Sequence, residues 1–260
     1  MSRRALVVFG GNGFVGSAVC AAAVARNVPV VAVSRSGTRP PQLSGGDGCW
    51  SERVRWVKGD ALDASTYEAL LGEAAAVVVS VGTPPLPFVN RAFQRKMNGE
   101  TNAAIVRAAG RAGVERVVLV NAAMPAWLLA VAPGYAEGKR DAAVAAAAFA
   151  ADRSAVSSAA HAAVLEPSVV YGTRYTVAPW GGTVPVPLGV VLGPASWALR
   201  SLSGLTRALR RAAPYAFDGV LFPPVPVGAV ARGAVHHALD AQPAGGKVVT
   251  EGPEELLRYA

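Results

Sequence analysis

The sequence predicts an α/β fold built on a doubly wound parallel sheet. Short apolar runs alternate with helical patterns through the first two thirds of the chain, the order that a parallel sheet covered by helices on both faces requires. The first run, Ala5-Leu-Val-Val-Phe9, passes directly into the turn Gly10-Gly11-Asn12-Gly13-Phe14-Val15-Gly16 and then into an Ala-rich helix over 17–26. The 260 residues are 52% hydrophobic with a mean hydropathy of +0.33, enough for one large domain or for a core with a smaller lobe.

Strand, glycine turn and helix in that order predict a nucleotide site. Gly10 allows the tight turn, Gly13 lets backbone N–H groups approach a pyrophosphate, and Gly16 permits close packing of helix on strand. Asn12, Phe14 and Val15 complete the turn, where the helix N-terminus offers unpaired donors to phosphates. A second strand over 28–33 ends at Ser34-Arg35-Ser36-Gly37. Chains that hold NAD usually carry Asp or Glu here for the ribose 2′-hydroxyl. No acid is present. Arg35 is placed to pair with a 2′-phosphate and Ser34 or Ser36 to donate to it, so NADP(H) is expected over NAD(H). The alternative for Arg35 is a solvated loop.

A third strand, 54–58, closes at Gly59-Asp60-Ala61-Leu62-Asp63, and a helix over 65–71 follows with Ser65 or Asp63 as its cap. The apolar run 75–81 is the fourth strand, 98–112 a helix ended by Gly113, and 117–120 the fifth strand. The Ala-rich run 140–151 continues a helix, and 162–165 is the sixth strand. Beyond Gly172 the pattern changes, which divides the chain into a nucleotide-binding domain, 1–172, and a C-terminal substrate or cap lobe, 173–260, interleaved with it. No charge occurs between Arg174 and Arg200, but Pro179, Pro185, Pro187 and Pro194 argue against one continuous membrane-spanning helix. An apolar, irregular lobe covering a substrate is expected. An amphipathic helix over 197–211 follows, with Leu199, Leu202, Leu205 and Leu209 expected to pack on the body; Arg200, Arg207, Arg210 and Arg211 make it basic, and interfacial membrane contact is the alternative. Trp127, Trp180 and Trp197 fall in these apolar regions, in the core or against a ligand. A helix over 227–239 carries His236 and His237 as surface or packing residues.

The net charge of +8 arises from 21 Arg and 4 Lys against 17 acids, spread along the chain without a nucleic-acid motif. An anionic cofactor, membrane surface or acidic partner suits it, and nucleic acid does not. Cys20 and Cys49 form no ligand pattern, and Cys20 is expected to pack as a small hydrophobe. His161, His236 and His237 have no metal spacing, so no metal site is expected. A signal or transit segment is not visible ahead of the first strand, and a trimmed one would leave the same picture.

The sequence Tyr135-Ala-Glu-Gly-Lys139 places two chemically active side chains at i and i+4, on one helical face. With the glycine turn, this resembles the atypical and extended short-chain dehydrogenase/reductases over nearly the whole chain, and so implies a Rossmann-type fold. By that resemblance Tyr135 exchanges a proton with a substrate oxygen. Lys139 lowers the phenol pKa and reaches the nicotinamide ribose. Asp60, with Ala61, corresponds to the adenine contact, Val81-Gly82 to the ribose turn, and Pro167 to the segment after the sixth strand. The family's Ser or Thr at the end of the fifth strand is absent. Asn121 stands there as a candidate donor, and Glu166 stands where relatives show Arg. The glycine turn, Val33-Ser-Arg-Ser-Gly37 and the tail from Gly245 resemble the branch linked to mitochondrial ubiquinone biosynthesis, with plastid relatives. A sister branch is the NADPH-binding accessory subunit of respiratory complex I. The resemblance implies two functions: an NADP(H)-dependent oxidoreductase acting on an apolar carbonyl or quinone-like substrate, or a non-catalytic NADPH-binding member of a membrane-associated complex. Either implies a mitochondrial location, with the plastid as alternative.

Overall fold

The structure, a computed structural model, describes residues 4–40, 49–177, 183–212 and 221–260. Trp180 and Pro179 lie outside the described residues. Strand β1 (Ala5–Phe9), helix α1 (Phe14–Ala25), β2 (Val30–Ser34) and β3 (Val54–Lys58) come first, followed by the short α2 (Glu68–Leu71) and β4 (Ala74–Val79). Helix α3 (Arg91–Arg95) runs through a π turn, Lys96–Glu100, into α4 (Thr101–Arg111), and then come β5 (Arg116–Val120), α5 (Ala126–Val131), α6 (Pro133–Ser154) and β6 (His161–Leu165). The strands pair in parallel in the order β3-β2-β1-β4-β5-β6, which is a doubly wound sheet.

Alternation along β1 builds both layers at once. Leu6 and Val8 pack with Val19, Cys20 and Ala23 of α1, while Val7 and Phe9 pack with Ile105 of α4 and Phe149 of α6. Cys20 is wholly buried, as expected of a small hydrophobe, and burial pushes its thiol up to about 12. Asp63, not Ser65, caps the turn before α2, accepting from Ser65 N at 3.2 Å.

Residues beyond Gly172 are more regular than the prolines predict. Short β7 (Val170–Tyr171) precedes an antiparallel hairpin of β8 (Thr173–Val177) and β9 (Thr183–Pro187), and then α7 (Gly189–Ser201), which holds Pro194 in its interior. The single helix expected over 197–211 is broken at Leu202, and α8 (Ser203–Ala212) begins anew. The leucine stripe packs on the body only in part: Leu199 and Leu209 are half-buried, whereas Leu202 and Leu205 are 54% and 57% exposed. Strand β10 (Val225–Pro226) pairs with β7 and leads into α9 (Val227–Leu239), whose Ala229, Val230, Ala234 and Val235 pack in the α1 layer. Strand β11 (Val248–Glu251) adds to the sheet beside β6, and α10 (Pro253–Leu256) follows.

A buried polar relay fastens α9 and β11 to β6. His237 Nε2 donates to Glu251 Oε1 at 2.8 Å, since a carboxylate can only accept. His237 Nδ1 shares a hydrogen bond with His161 Nε2, 3.1 Å away, and the rings stack nearly parallel. Arg258 and the Tyr259 hydroxyl also donate to Glu251. His237, expected at the surface or in packing, is buried and hydrogen-bonded through both ring nitrogens. His161 and His237 lie 76 residues apart in sequence, so no local pattern links them. His161 Nδ1 is buried without a partner, and burial, with the Arg116 charge beside it, holds the ring down at about 4. The unfolded chain protonates His161 below about 6.5 while the folded chain does not. Stability is therefore full above that pH and lost as pH falls toward 4, by about 2–3 kcal/mol from this group. Urea midpoints measured from pH 7 to pH 4 check this, and His161→Gln is expected to flatten the profile.

Candidate nucleotide and active site

The turn after β1 is shaped by close approach. Gly10 has a φ of 77°, and Gly13 N donates to Gly10 O at 2.9 Å. A Cβ on Gly16 would lie 2.1 Å from Gly10 O and 2.7 Å from Ser80 Oγ, so α1 can start this near the sheet only with glycine there. Gly13 caps α1 without a side-chain hydrogen bond, which leaves the N–H groups of Phe14, Val15 and Gly16 for an anion. A cavity of about 390 Å³ opens against Asn12, Gly13 and Phe14, with Arg174, Tyr175 and Trp50 on its far side. This cradle fits a pyrophosphate. Gly16→Ala is expected to cost about 1–3 kcal/mol by overpacking and to abolish nucleotide binding; urea denaturation and a nucleotide titration check both.

At the end of β2, Ser34 is buried and its hydroxyl accepts from Gly37 N at 3.2 Å, while Ser36 Oγ lies 3.4 Å from it. These bonds shape the turn that holds Arg35 outward. Arg35 is exposed and has no ion-pair partner among the described residues. Asp60 is also exposed, its carboxylate accepting from Leu62 N at 3.0 Å, with Ala61 beside it. At the end of β4, Val81 O accepts from Asn102 Nδ2 at 3.0 Å, and Thr83 N donates to Asn98 Oδ1 at 3.1 Å on the far side of Gly82. Both asparagines are fully buried, so they fix the Val81-Gly82 turn from behind. Their spacing of four, one helical turn, sets both on the face toward the sheet.

Tyr135 and Lys139 lie in the first turns of α6, which Pro133 opens. A Cβ on Gly138 would lie 2.9 Å from Gly99 N, so the helix meets the π turn backbone to backbone, which brings Lys139 in over the sheet. Lys139 Nζ donates to Val120 O at 3.3 Å and sits 5.7 Å from the Tyr135 ring centre. Burial pulls its ammonium down to about 8, opposed by the charge of Glu166. Tyr135 packs with Leu128, Ala132 and Met124, and burial pushes its phenol up to about 12. The expected lowering of that pKa by Lys139 is not found, because the ammonium faces the ring and desolvation of the phenolate dominates.

Asn121 does not present its amide freely. Its Nδ2 donates to Glu166 Oε1 at 3.2 Å, and its Oδ1 is buried without a partner. Burial raises the Glu166 carboxyl, and the Asn121 bond and the Lys139 charge pull the other way. Pro167 is buried, and its carbonyl accepts from Ala123 N at 2.9 Å, tying the ends of β5 and β6 together. The structure therefore gathers Asn121, Tyr135, Lys139 and Glu166 at one end of β5 and β6. The link between Glu166 and Asn121 had no sequence signal, since they lie 45 residues apart. Next to them, Ala123, Met124, Glu166, Phe222, Glu254 and Glu255 line a cavity of about 300 Å³, without a cationic side chain in its described lining.

A family profile described as NAD(P)H-binding matches residues 10–169, from the glycine turn to just past β6. The chain belongs to the NAD(P)H-binding family. An uncharacterised chloroplastic protein of Arabidopsis thaliana is 35% identical over 239 residues, spanning 90% of this chain and 71% of that protein. The MIOREX complex component 2 of Saccharomyces cerevisiae is 43% identical over 77 residues, only 30% of this chain and 28% of that protein. Among solved structures, MoeE5 in complex with UDP-glucuronic acid and NAD matches at a TM-score of 0.59 and 19% identity, over 95% of this chain and 75% of that one. At that identity the likeness shows the fold alone, a parallel α/β sheet of the Rossmann type.

Proposed function

We propose that this NAD(P)H-binding protein is an NADP(H)-dependent oxidoreductase that reduces an apolar carbonyl or quinone-like substrate. The observation that carries the reading is the buried pair Tyr135 and Lys139, seated beside the end of β5 on the helix that packs against the π turn. Arg35, exposed beside Ser34 and Ser36, favours the 2′-phosphate of NADP(H). A bound nicotinamide supplies the hydride. The chain's part is to hold the substrate oxygen within reach of the Tyr135 hydroxyl, which is neutral at physiological pH and so donates a proton as negative charge develops. Lys139 offsets that charge, and the apolar packing around Tyr135 keeps water away. The neighbouring cavity, with Glu166, Glu254 and Glu255 in its lining, disfavours an anionic nucleotide sugar such as the one in complex with MoeE5.

The resemblance to the ubiquinone-linked branch points to a quinone ring and to the mitochondrion, while the chloroplastic relative supports the plastid. A second reading has one observation in its favour. The Asn121 amide is held by Glu166, whose carboxylate would oppose negative charge on a substrate oxygen. On that reading the protein keeps NADPH as a structural element in a membrane-associated complex. Steady NADPH oxidation with a short-chain quinone supports the enzyme. Bound NADPH that never turns over, yet raises the melting temperature, supports the structural role.

A further inference from the structure

The outward surface of α7 and α8 is apolar where a soluble protein should be polar. Val190 and Trp197 stand seven residues apart on one helical face and are 73% and 72% exposed, and Leu202 and Leu205 continue the surface at 54% and 57%. The opposite side of α7 is moored: Ser196 is buried, and its hydroxyl donates to Pro224 O at 2.7 Å. Trp197 therefore points away from the body because its neighbour is fixed toward it. A helix apolar on both faces belongs between two apolar layers, and here the protein supplies only one.

Charge indicates the other layer. From Pro167 to Phe217 the sequence has no Asp or Glu, yet α7 and α8 carry Arg200, Arg207, Arg210 and Arg211. Arg200 and Arg211 are exposed. A second copy seated on this face would bring one set of arginines against the other, with Glu254, which lines a cavity with Arg200, as a single acid beside them. An anionic lipid surface answers both features, taking the Trp and Leu side chains among its acyl chains and the arginines among its headgroups. No helix among the described residues is long and apolar enough to cross a membrane, so the contact is with the surface.

We propose that α7 and α8 form an interfacial docking face for an anionic lipid surface. This does not depend on the nucleotide reading. The test is flotation of the full chain with phosphatidylcholine vesicles, with and without 30% phosphatidylglycerol. The expected result is at least tenfold stronger partitioning onto the anionic vesicles, weakened by high salt. Trp197→Ser with Leu205→Ser is expected to reduce partitioning at least tenfold while the melting temperature and NADPH affinity stay as in the parent chain. Arg200→Glu with Arg211→Glu should abolish the preference for anionic vesicles. Equal partitioning onto both vesicle types, or none, overturns the proposal. So does concentration-dependent self-association in light scattering that the Trp197→Ser, Leu205→Ser variant removes, since the face would then cover a second copy.

Discussion

Tyr135→Phe is expected to slow NADPH oxidation by about 10²–10⁴-fold, the range for losing a positioned general acid. The hydroxyl is the only group removed, and the ring keeps its contacts with Leu128, Ala132 and Met124. No hydrogen bond within the protein is lost with it among the described residues, so the fold should not notice the change. NADPH affinity is expected to stay within about twofold, because positioned proton transfer is separable from cofactor binding. Steady-state oxidation and a fluorescence titration on the same preparation check the two halves together. A rate that persists in the Phe variant would remove Tyr135 from the chemistry. A parent chain that binds NADPH without turnover would favour the structural reading instead.

Arg35→Ala is expected to weaken NADPH binding by roughly 10–100-fold and to leave NADH within a fewfold, the worth of one charge-assisted pair. Nothing in the fold depends on Arg35, which is exposed and unpaired among the described residues. The buried neighbour Ser34, which accepts from Gly37 N, keeps the turn in place when the arginine is gone. Loss of NADPH alone therefore reports recognition of the 2′-phosphate. Equal loss of both nucleotides would mean that Arg35 acts on the adenine ring or on the shape of the loop.

Local patterns carried most of the fold. Leu6 and Val8 facing one layer and Val7 and Phe9 the other is period-two alternation inside a wholly apolar run. The run itself was legible, although the two faces were not. The glycine turn was legible because each of its glycines answers a steric demand within a few residues or from the adjoining strand. The apolar segment after Gly172 misled because its prolines suited a hairpin and the interior of α7, where Pro194 sits within an α-helix. Pair periodicity located Tyr135 and Lys139, since i and i+4 fix a shared face. It could not locate Glu166 against Asn121 or His161 against His237, because those contacts exist only after distant strands and helices stack. The leucines of α8 show the remaining limit. Periodicity identifies an apolar face, and the tertiary structure decides whether that face meets the body or points away from it.

The most direct test of the whole account is a fluorescence titration of the parent chain with NADPH and with NADH. The account predicts stoichiometric NADPH binding, at least tenfold tighter than NADH. Equal affinities would contradict the role given to Arg35, and no binding of either would mean that the cradle around Gly10, Gly13 and Gly16 holds no nucleotide.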